Sequence, residues 1–321
     1  MTVPTLDDIR AARRPVYAAL RPTPLVSHPL LAEALGLSVR VKHENHNPTG
    51  AFKVRGGLAL VSGLPEHERR AGVISATTGN HGQSIAFACR RAGVACTLVV
   101  PLGNNPEKNA AMRAWGATLI EHGRDFDEAR ELVERLCVER GLRYVHSANE
   151  PLLIAGVGTY ALEIFEEWPE ADVVLVPIGG GSGAAGLITV RDALGHHARI
   201  IGVQAEAADA VARSWRTGTR VVLDACPTFA EGLATRVTFD LTFGILQRGL
   251  DDMVTLTEAE LAEGVRMALG TTHNLAEGAG AAAIAAAAKL APSLAGQHVV
   301  CVMSGGNIDR RTLARVVNGE L

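Results

Sequence analysis

Aromatic residues are scarce: three Trp, three Tyr and seven Phe make up 4% of 321 residues. A core made without them must rest on Ala, Val, Leu and Ile. Cysteine is also sparse, with Cys89, Cys96, Cys137, Cys226 and Cys301 far apart and no Cys-x-x-Cys pair. That odd, scattered set excludes a disulfide framework and a structural zinc site, and fits a reduced cytoplasmic chain. There is no excess of either charge, because 31 basic residues face 34 acidic ones. A dedicated nucleic-acid binder is thereby excluded. No apolar run reaches the roughly 18 residues a membrane span needs. The longest alanine-rich run, residues 279–288, reads as a buried helix. Residues 1–14 are polar and mixed in charge, so they do not read as a signal peptide. What the chain does have is 47% hydrophobic residues and 34 clustered glycines. So much apolar surface excludes disorder, and the length predicts about two domains.

Short β-branched runs alternate with amphipathic stretches. Strands are expected at residues 73–75, 96–100, 118–120, 144–146, 173–176, 200–203 and 299–303. Helices are expected over 107–115, 127–139 and 152–166. In the second, Ala129, Leu132, Val133, Leu136 and Cys137 recur at helical spacing. Such alternation predicts an α/β protein with parallel sheets, whose ligands bind beyond the carboxyl ends of the strands.

Several of those ends run into glycine-rich turns. Residues 176–186 read Val-Pro-Ile-Gly-Gly-Gly-Ser-Gly-Ala-Ala-Gly. Successive glycines let backbone N–H groups converge on an anion, and the following helix adds its positive end. No Lys-Ser or Lys-Thr follows, which excludes the Walker phosphate loop. Gly181, Gly183 and Gly186 also fit Gly-x-Gly-x-x-Gly, with Glu206 at the end of the next expected strand. Phosphate cradle, NAD-type dinucleotide site and plain tight turn all remain open for this segment.

Three further turns carry chemistry. Lys53 sits in Asn47-Pro-Thr-Gly-Ala-Phe-Lys-Val-Arg-Gly-Gly57. A lysine desolvated among apolar neighbours has a lowered pKa and can form a Schiff base; a loop lysine in solvent is the plain alternative. Residues 75–84 read Ser-Ala-Thr-Thr-Gly-Asn-His-Gly-Gln-Ser, again between strand and helix. That turn can receive a carboxylate, or can simply be a helix cap made by Thr78 or Asn80. Ser304, in Val302-Met-Ser-Gly-Gly-Asn307, closes the last expected strand.

Together, and in this order, the four segments resemble the fold-type II pyridoxal phosphate enzymes, in the serine/threonine dehydratase and serine racemase branch. The likeness runs from about Pro22 to Asn307, and Lys-Val-Arg-Gly-Gly after Phe52 points to the dehydratases. It implies two open, twisted, mostly parallel sheets flanked by helices, as in the tryptophan synthase β subunit, with pyridoxal 5'-phosphate in the cleft. A large domain would comprise residues 1–59 and 150–321, and a small mobile one residues 60–149. No C-terminal regulatory domain fits after the Ser304 turn, and a homodimer is the family habit.

The resemblance also implies roles. Lys53 would carry the cofactor as a Schiff base, and Phe52 would pack beside the ring. Asn80 would hydrogen-bond the ring hydroxyl, and Ser304 would face the pyridine nitrogen. Gly179, Gly180, Gly181, Ser182 and Gly183 would cradle the phosphate. Gly232 would present its carbonyl near the reacting amine, and Glu277 matches an acidic position near the ring. Ser75, Thr77, Thr78, Gly79, Asn80 and His81 would receive the substrate carboxylate, with Thr78 also a catalytic candidate.

The implied reaction is β-elimination from a β-hydroxy L-amino acid. L-Threonine would give 2-oxobutanoate and ammonia, and L-serine would give pyruvate and ammonia. Other dehydratase substrates compete, namely 3-hydroxyaspartate, 3-phenylserine and a hydroxyectoine-pathway compound. Serine racemase is a further alternative, but racemases carry serine where Thr78 stands, and the extra methyl crowds the site. An NAD-dependent dehydrogenase would leave Lys53, Asn80 and Ser304 unexplained, and a cofactor-free binding protein would not need Lys53. Arg130 could meet a β-carboxylate or be a solvated helix charge. Metal-activated relatives use two acids and a backbone carbonyl; Glu206 and Ala210 match, but Ala212 stands where the second acid belongs, so no metal is expected.

Overall fold

The computed structural model describes residues 2–124 and 126–321; Met1 and Asp125, which fall within the expected large and small domains, lie outside the described residues. The β-branched runs form ten strands among the described residues, numbered in chain order. These are β1 (Leu25–Val26), β2 (Ser38–His43), β3 (Val73–Ala76), β4 (Cys96–Val100) and β5 (Thr118–Glu121). After them come β6 (Arg143–Tyr144), β7 (Val173–Pro177), β8 (Arg199–Ala205), β9 (Asp252–Leu256) and β10 (His298–Met303).

The strands make two sheets. One has the order β1-β2-β10-β7-β8-β9, the other β5-β4-β3-β6. Every pairing is parallel except β1 with β2. Strands buried on both faces read as unbroken apolar runs, and Val173, Val174, Leu175 and Val176 are all buried. The expected strand at 144–146 is instead Arg143–Tyr144, and β1, β2 and β9 have no counterpart among the expected strands.

One apolar cluster reaches from Leu98 of β4 to Val174 of β7, while Val173 and Leu175 on the other face of β7, and Val99 on the other face of β4, belong to separate clusters. The helix Lys53–Ser62 packs against both Asn80–Ala92 and Pro151–Glu167. Glycine allows this crowding. A Cβ on Gly57 would stand 2.4 Å from Ser84 Oγ, and one on Gly156 would stand 2.4 Å from the Arg55 carbonyl. The alanine-rich run lies within the helix Gly278–Leu294, whose residues 278–287 are buried.

A buried ion cluster anchors the Lys53 helix. Arg55, fully buried, donates to Glu44 Oε2 at 2.8 Å and Oε1 at 2.9 Å. It also donates to Glu163 Oε1 at 2.6 Å and Oε2 at 2.9 Å. Lys42 Nζ completes the set at 2.6 Å from Glu163 Oε2. Burial works against the Arg55 charge, but Glu44 and Glu163 outweigh it and raise its pKa above the ordinary value. The Lys53 helix is thereby tied to β2 and to the helix Pro151–Glu167.

Candidate active site

Lys53 is the first residue of its helix. The loop before it is zipped to the turn after β10. Ala51 bridges Gly305, and the Phe52 N–H donates to the Ser304 carbonyl at 3.0 Å. Gly306 N–H donates to the Gly50 carbonyl at 2.8 Å, and Asn307 Nδ2 to the Thr49 carbonyl at 2.8 Å. This backbone fixes where the side chain starts. Its Nζ donates to Ser182 Oγ at 3.1 Å and to the Ser147 carbonyl at 3.4 Å. Burial pushes the ammonium pKa down to about 8, so a neutral amine is accessible near physiological pH.

The glycine loop runs from the end of β7 into the helix Ser182–Leu194. Gly181, at φ +85°, makes the left-handed turn that aims the helix N-terminus inward. No side chain of the N-cap satisfies the first-turn N–H groups. The loop carbonyls are occupied: Thr242 Oγ1 donates to Gly180 at 2.8 Å and Tyr160 OH to Gly183 at 2.9 Å. A Cβ on Gly179 would lie 2.2 Å from the Gly232 carbonyl, and one on Gly183 would lie 3.5 Å from the Phe52 ring. Only glycine keeps this cradle open at Gly179.

The turn after β3 divides its labour. Thr77 Oγ1 accepts from Gly79 N–H at 3.0 Å and Gly82 N–H at 2.9 Å. Thr77, rather than Thr78 or Asn80, therefore caps the helix Asn80–Ala92. Ser75 does not line the cavity, which corrects its expected place at the substrate. It is a strand residue whose hydroxyl donates to the Val145 carbonyl at 2.7 Å and receives His81 Nε2 at 3.0 Å. Burial above all, then Lys53 and His146, push the His81 pKa down to about 3, so its ring is neutral.

The Asn80 amide is fixed from both sides. Its Nδ2 donates to Glu277 Oε1 at 2.6 Å, and its Oδ1 accepts from Asn307 Nδ2 at 2.7 Å. Burial raises the Glu277 carboxyl pKa, opposed by Lys108 and the Asn80 bond. Lys108 in turn donates to Glu231. Burial acts against the Lys108 charge, but Glu277 and Glu231 outweigh it. Ser304 Oγ, buried at the end of β10, lies 3.4 Å from the Ala279 carbonyl.

One cavity of about 740 Å³ gathers nearly all of this. Phe52, Lys53, residues 77–81 and 179–183, Gly232, Glu277 and Ser304 line it. Among the lining residues without a sequence signal of their own are Lys108, Glu231, His146 and Phe239. Arg130 also lines the cavity and pairs with Glu134 at 2.5 Å. Glu206 is exposed beyond β8, Ala210 is buried at a helix start, and Asp209 faces Arg213 at 4.0 Å. Among the described residues, no three His, Cys, Asp or Glu gather to hold a metal.

These residues fit pyridoxal phosphate. A deprotonable amine, a glycine cradle at a helix N-terminus and a neutral hydroxyl open onto one space, and the Gly179 position tolerates no Cβ.

Comparison with known proteins agrees. The family described as pyridoxal-phosphate dependent enzyme matches residues 16–305. The chain is 37% identical over 317 residues to an L-threonine ammonia-lyase of Thermotoga maritima, covering 99% of this chain and 79% of the relative. It is 31% identical over 320 residues to an L-threo-3-hydroxyaspartate ammonia-lyase of Saccharomyces cerevisiae, covering 100% and 98%. Among solved structures it is similar to threonine deaminase isoform 2 of Solanum lycopersicum, with TM-score 0.92, 32% identity and coverage of 98% and 91%. Maize serine racemase matches with TM-score 0.93, 26% identity and coverage of 99% and 98%. The chain belongs to the pyridoxal-phosphate dependent enzymes. Within them it falls in the serine/threonine dehydratase and serine racemase branch, and the dinucleotide reading of the glycine loop is set aside.

Proposed function

We propose that this protein dehydrates and deaminates β-hydroxy L-amino acids, foremost L-threonine to 2-oxobutanoate and L-serine to pyruvate, each with ammonia. The observation that carries the reading is Lys53: an amine lowered to about 8 that shares one cavity with the glycine cradle and the Ser304 hydroxyl. Lys53 would hold the cofactor's aldehyde, residues 179–183 its phosphate, Ser304 its ring nitrogen and Asn80 its ring hydroxyl. Asn80 Nδ2 keeps a second hydrogen for that bond after serving Glu277. When bound, pyridoxal phosphate supplies the electron sink for the bond broken at the substrate Cα.

The chain's own part is positional and protonic. The Lys53 amine, once free, takes the Cα proton. Backbone at the start of the helix Asn80–Ala92 favours the substrate carboxylate, because helix N-termini attract anions. A neutral serine at the ring nitrogen favours prompt loss of the β-hydroxyl over lingering charge at Cα. The released enamine then hydrolyses to the 2-oxo acid and ammonia.

Residues 60–149 would close over the substrate and exclude water. The Lys108–Glu231 pair and Arg310 Nε to Glu107 Oε1 at 2.9 Å already join the helix Pro106–Ala114 to the larger sheet's side, which supports such a closure. Homodimeric assembly and a cytoplasmic location complete the reading; no helix among the described residues is long and apolar enough to cross a membrane.

The test is the visible spectrum of the purified protein before and after L-threonine. A yellow band that shifts, with 2-oxobutanoate accumulating, is the expected result. A protein that stays colourless with added pyridoxal phosphate would refute it. Arg130 on the cavity wall favours a second substrate, 3-hydroxyaspartate. Arg130→Met should then slow turnover of 3-hydroxyaspartate about ten-fold or more while sparing L-threonine, since a lost charged hydrogen bond costs about 1.5–3 kcal/mol.

A further inference from the structure

His146 follows β6 and lines the cavity, yet neither motif nor spacing marks it. Its Nδ1 accepts two backbone hydrogen bonds, from Ala148 N–H and Asn149 N–H, each at 3.0 Å. A ring nitrogen that accepts carries no proton, so the neutral imidazole must bear its hydrogen on Nε2. The ring stays neutral because burial, Arg130 and Lys53 together hold its pKa at about 4. Its orientation is set by Phe239, packed edge-on with centroids 5.0 Å apart. Nε2 has no hydrogen-bond partner among the described residues, yet it is not one of the sealed, unpartnered polar atoms. The atom is therefore not sealed, on a ring that lines the cavity.

We propose, resting on the dehydratase reading, that His146 is a specificity residue whose Nε2–H is a fixed hydrogen-bond donor to the oxygen the substrate carries on Cβ. The anion cradle belongs to residues 179–183, and the carboxylate turn to residues 78–81. The carbonyl of Ser147, next in sequence to His146, accepts from Lys53 Nζ at 3.4 Å. The Arg130 and Lys53 charges both act on the imidazole and all three residues line one cavity, so the ring lies near the reacting amine and near Arg130, the side we assign to the substrate side chain. A neutral imidazole N–H is a poor acid, so His146 selects and orients the β-oxygen and does not protonate it. A side chain with no acceptor on Cβ leaves that donor unpaired, which is the costly kind of mismatch.

Two variants separate the donor from the backbone contacts. His146→Asn can keep an acceptor, Oδ1, for the Ala148 and Asn149 N–H groups, but its shorter amide places no donor where Nε2–H stood. His146→Gln keeps a donor at a reach similar to Nε2–H and moves the acceptor away from the Nδ1 position. The substrates are L-threonine and β-chloro-L-alanine, whose chloride leaves without needing a hydrogen bond. His146→Asn should lower kcat/KM for L-threonine about ten-fold, the effect of one hydrogen bond, and change β-chloro-L-alanine less than about two-fold. His146→Gln should recover part of the L-threonine loss. In the wild type, nitrogen-15 NMR of labelled histidine should show, besides the neutral His81 ring, a neutral Nε2–H ring between pH 6 and pH 8 that is absent in His146→Asn. Equal losses on both substrates, an unchanged L-threonine rate, or a charged or Nδ1–H ring would overturn the assignment. So would weaker pyridoxal phosphate binding in His146→Asn, which would place the donor at the phosphate. A wild type inert toward both compounds would refute the dehydratase reading itself, and this assignment with it.

Discussion

Replacing Arg55 by Met tests whether the buried ion cluster anchors the helix that carries Lys53. In the native cluster two cations, Lys42 and Arg55, face two anions, Glu44 and Glu163, and all four are buried. Met fills much of the space but strands charge. Glu163 retains Lys42 at 2.6 Å and the Tyr17 hydroxyl at 2.7 Å. Glu44 retains only neutral donors, the Thr23 hydroxyl at 2.6 Å and Asn47 Nδ2 at 2.8 Å. Removing one member of a buried pair costs about 3–5 kcal/mol, mostly the penalty of the charge left behind. That is a large part of the roughly 5–15 kcal/mol that holds a domain folded. Urea unfolding of Arg55→Met, Glu44→Gln and the double variant gives the measurement. The double variant should be more stable than Arg55→Met by about 1 kcal/mol or more, because it removes the stranded carboxylate. High salt should leave the loss unchanged, since ions do not screen a sealed pair. A loss under about 1 kcal/mol, the value of a surface pair, would refute the reasoning, as would simple additivity of the two single changes.

Three further outcomes follow from the site. Lys53→Ala should abolish the visible band of the loaded protein and lower turnover by about a thousand-fold or more, as loss of a proton-transferring and covalent group does; retention of turnover within ten-fold would contradict the assignment. The amine of Lys53 must be neutral to capture pyridoxal phosphate, so the loading rate of cofactor-stripped protein should rise with pH and level off above about 8. A midpoint near the ordinary lysine value of about 10.4 would show that burial does not lower this amine. Gly179→Ala places a Cβ 2.2 Å from the Gly232 carbonyl, a contact that requires backbone to move. Spectrophotometric titration should then show pyridoxal phosphate binding weakened about ten-fold or more, as expected when an anion cradle loses one or more backbone donors; unchanged affinity would refute the cradle.

The turns of this site were legible because their chemistry constrains the chain locally. A loop that turns sharply into a helix needs glycine wherever the fold places it, and residues 179–183 carry it in sequence: Gly181 stands at φ +85°, and a Cβ on Gly179 would lie 2.2 Å from the Gly232 carbonyl. The same holds for the continuous apolar strands: 96–100 coincides with β4, and 173–176 extends by one residue into β7. Legibility failed where a residue's role depends on a distant partner. Lys42 and Arg40 make Ser38–His43 look like a surface segment, yet Lys42 is buried on β2 and Glu163 meets it from the helix Pro151–Glu167. Ser75 looked like a ligand hydroxyl within a polar turn, but the strand directs it to Val145 and His81. Lys108, Glu231 and His146 belong to no motif, and only folding brings them to the cavity. The division has a physical reason. Groups that act through backbone conformation leave a local record in glycine and turn residues. Groups that act through a side-chain tip depend on a partner whose position no local spacing encodes. The residues that choose among substrates on a shared cofactor are mostly of the second kind, so sequence reaches the reaction class sooner than the substrate.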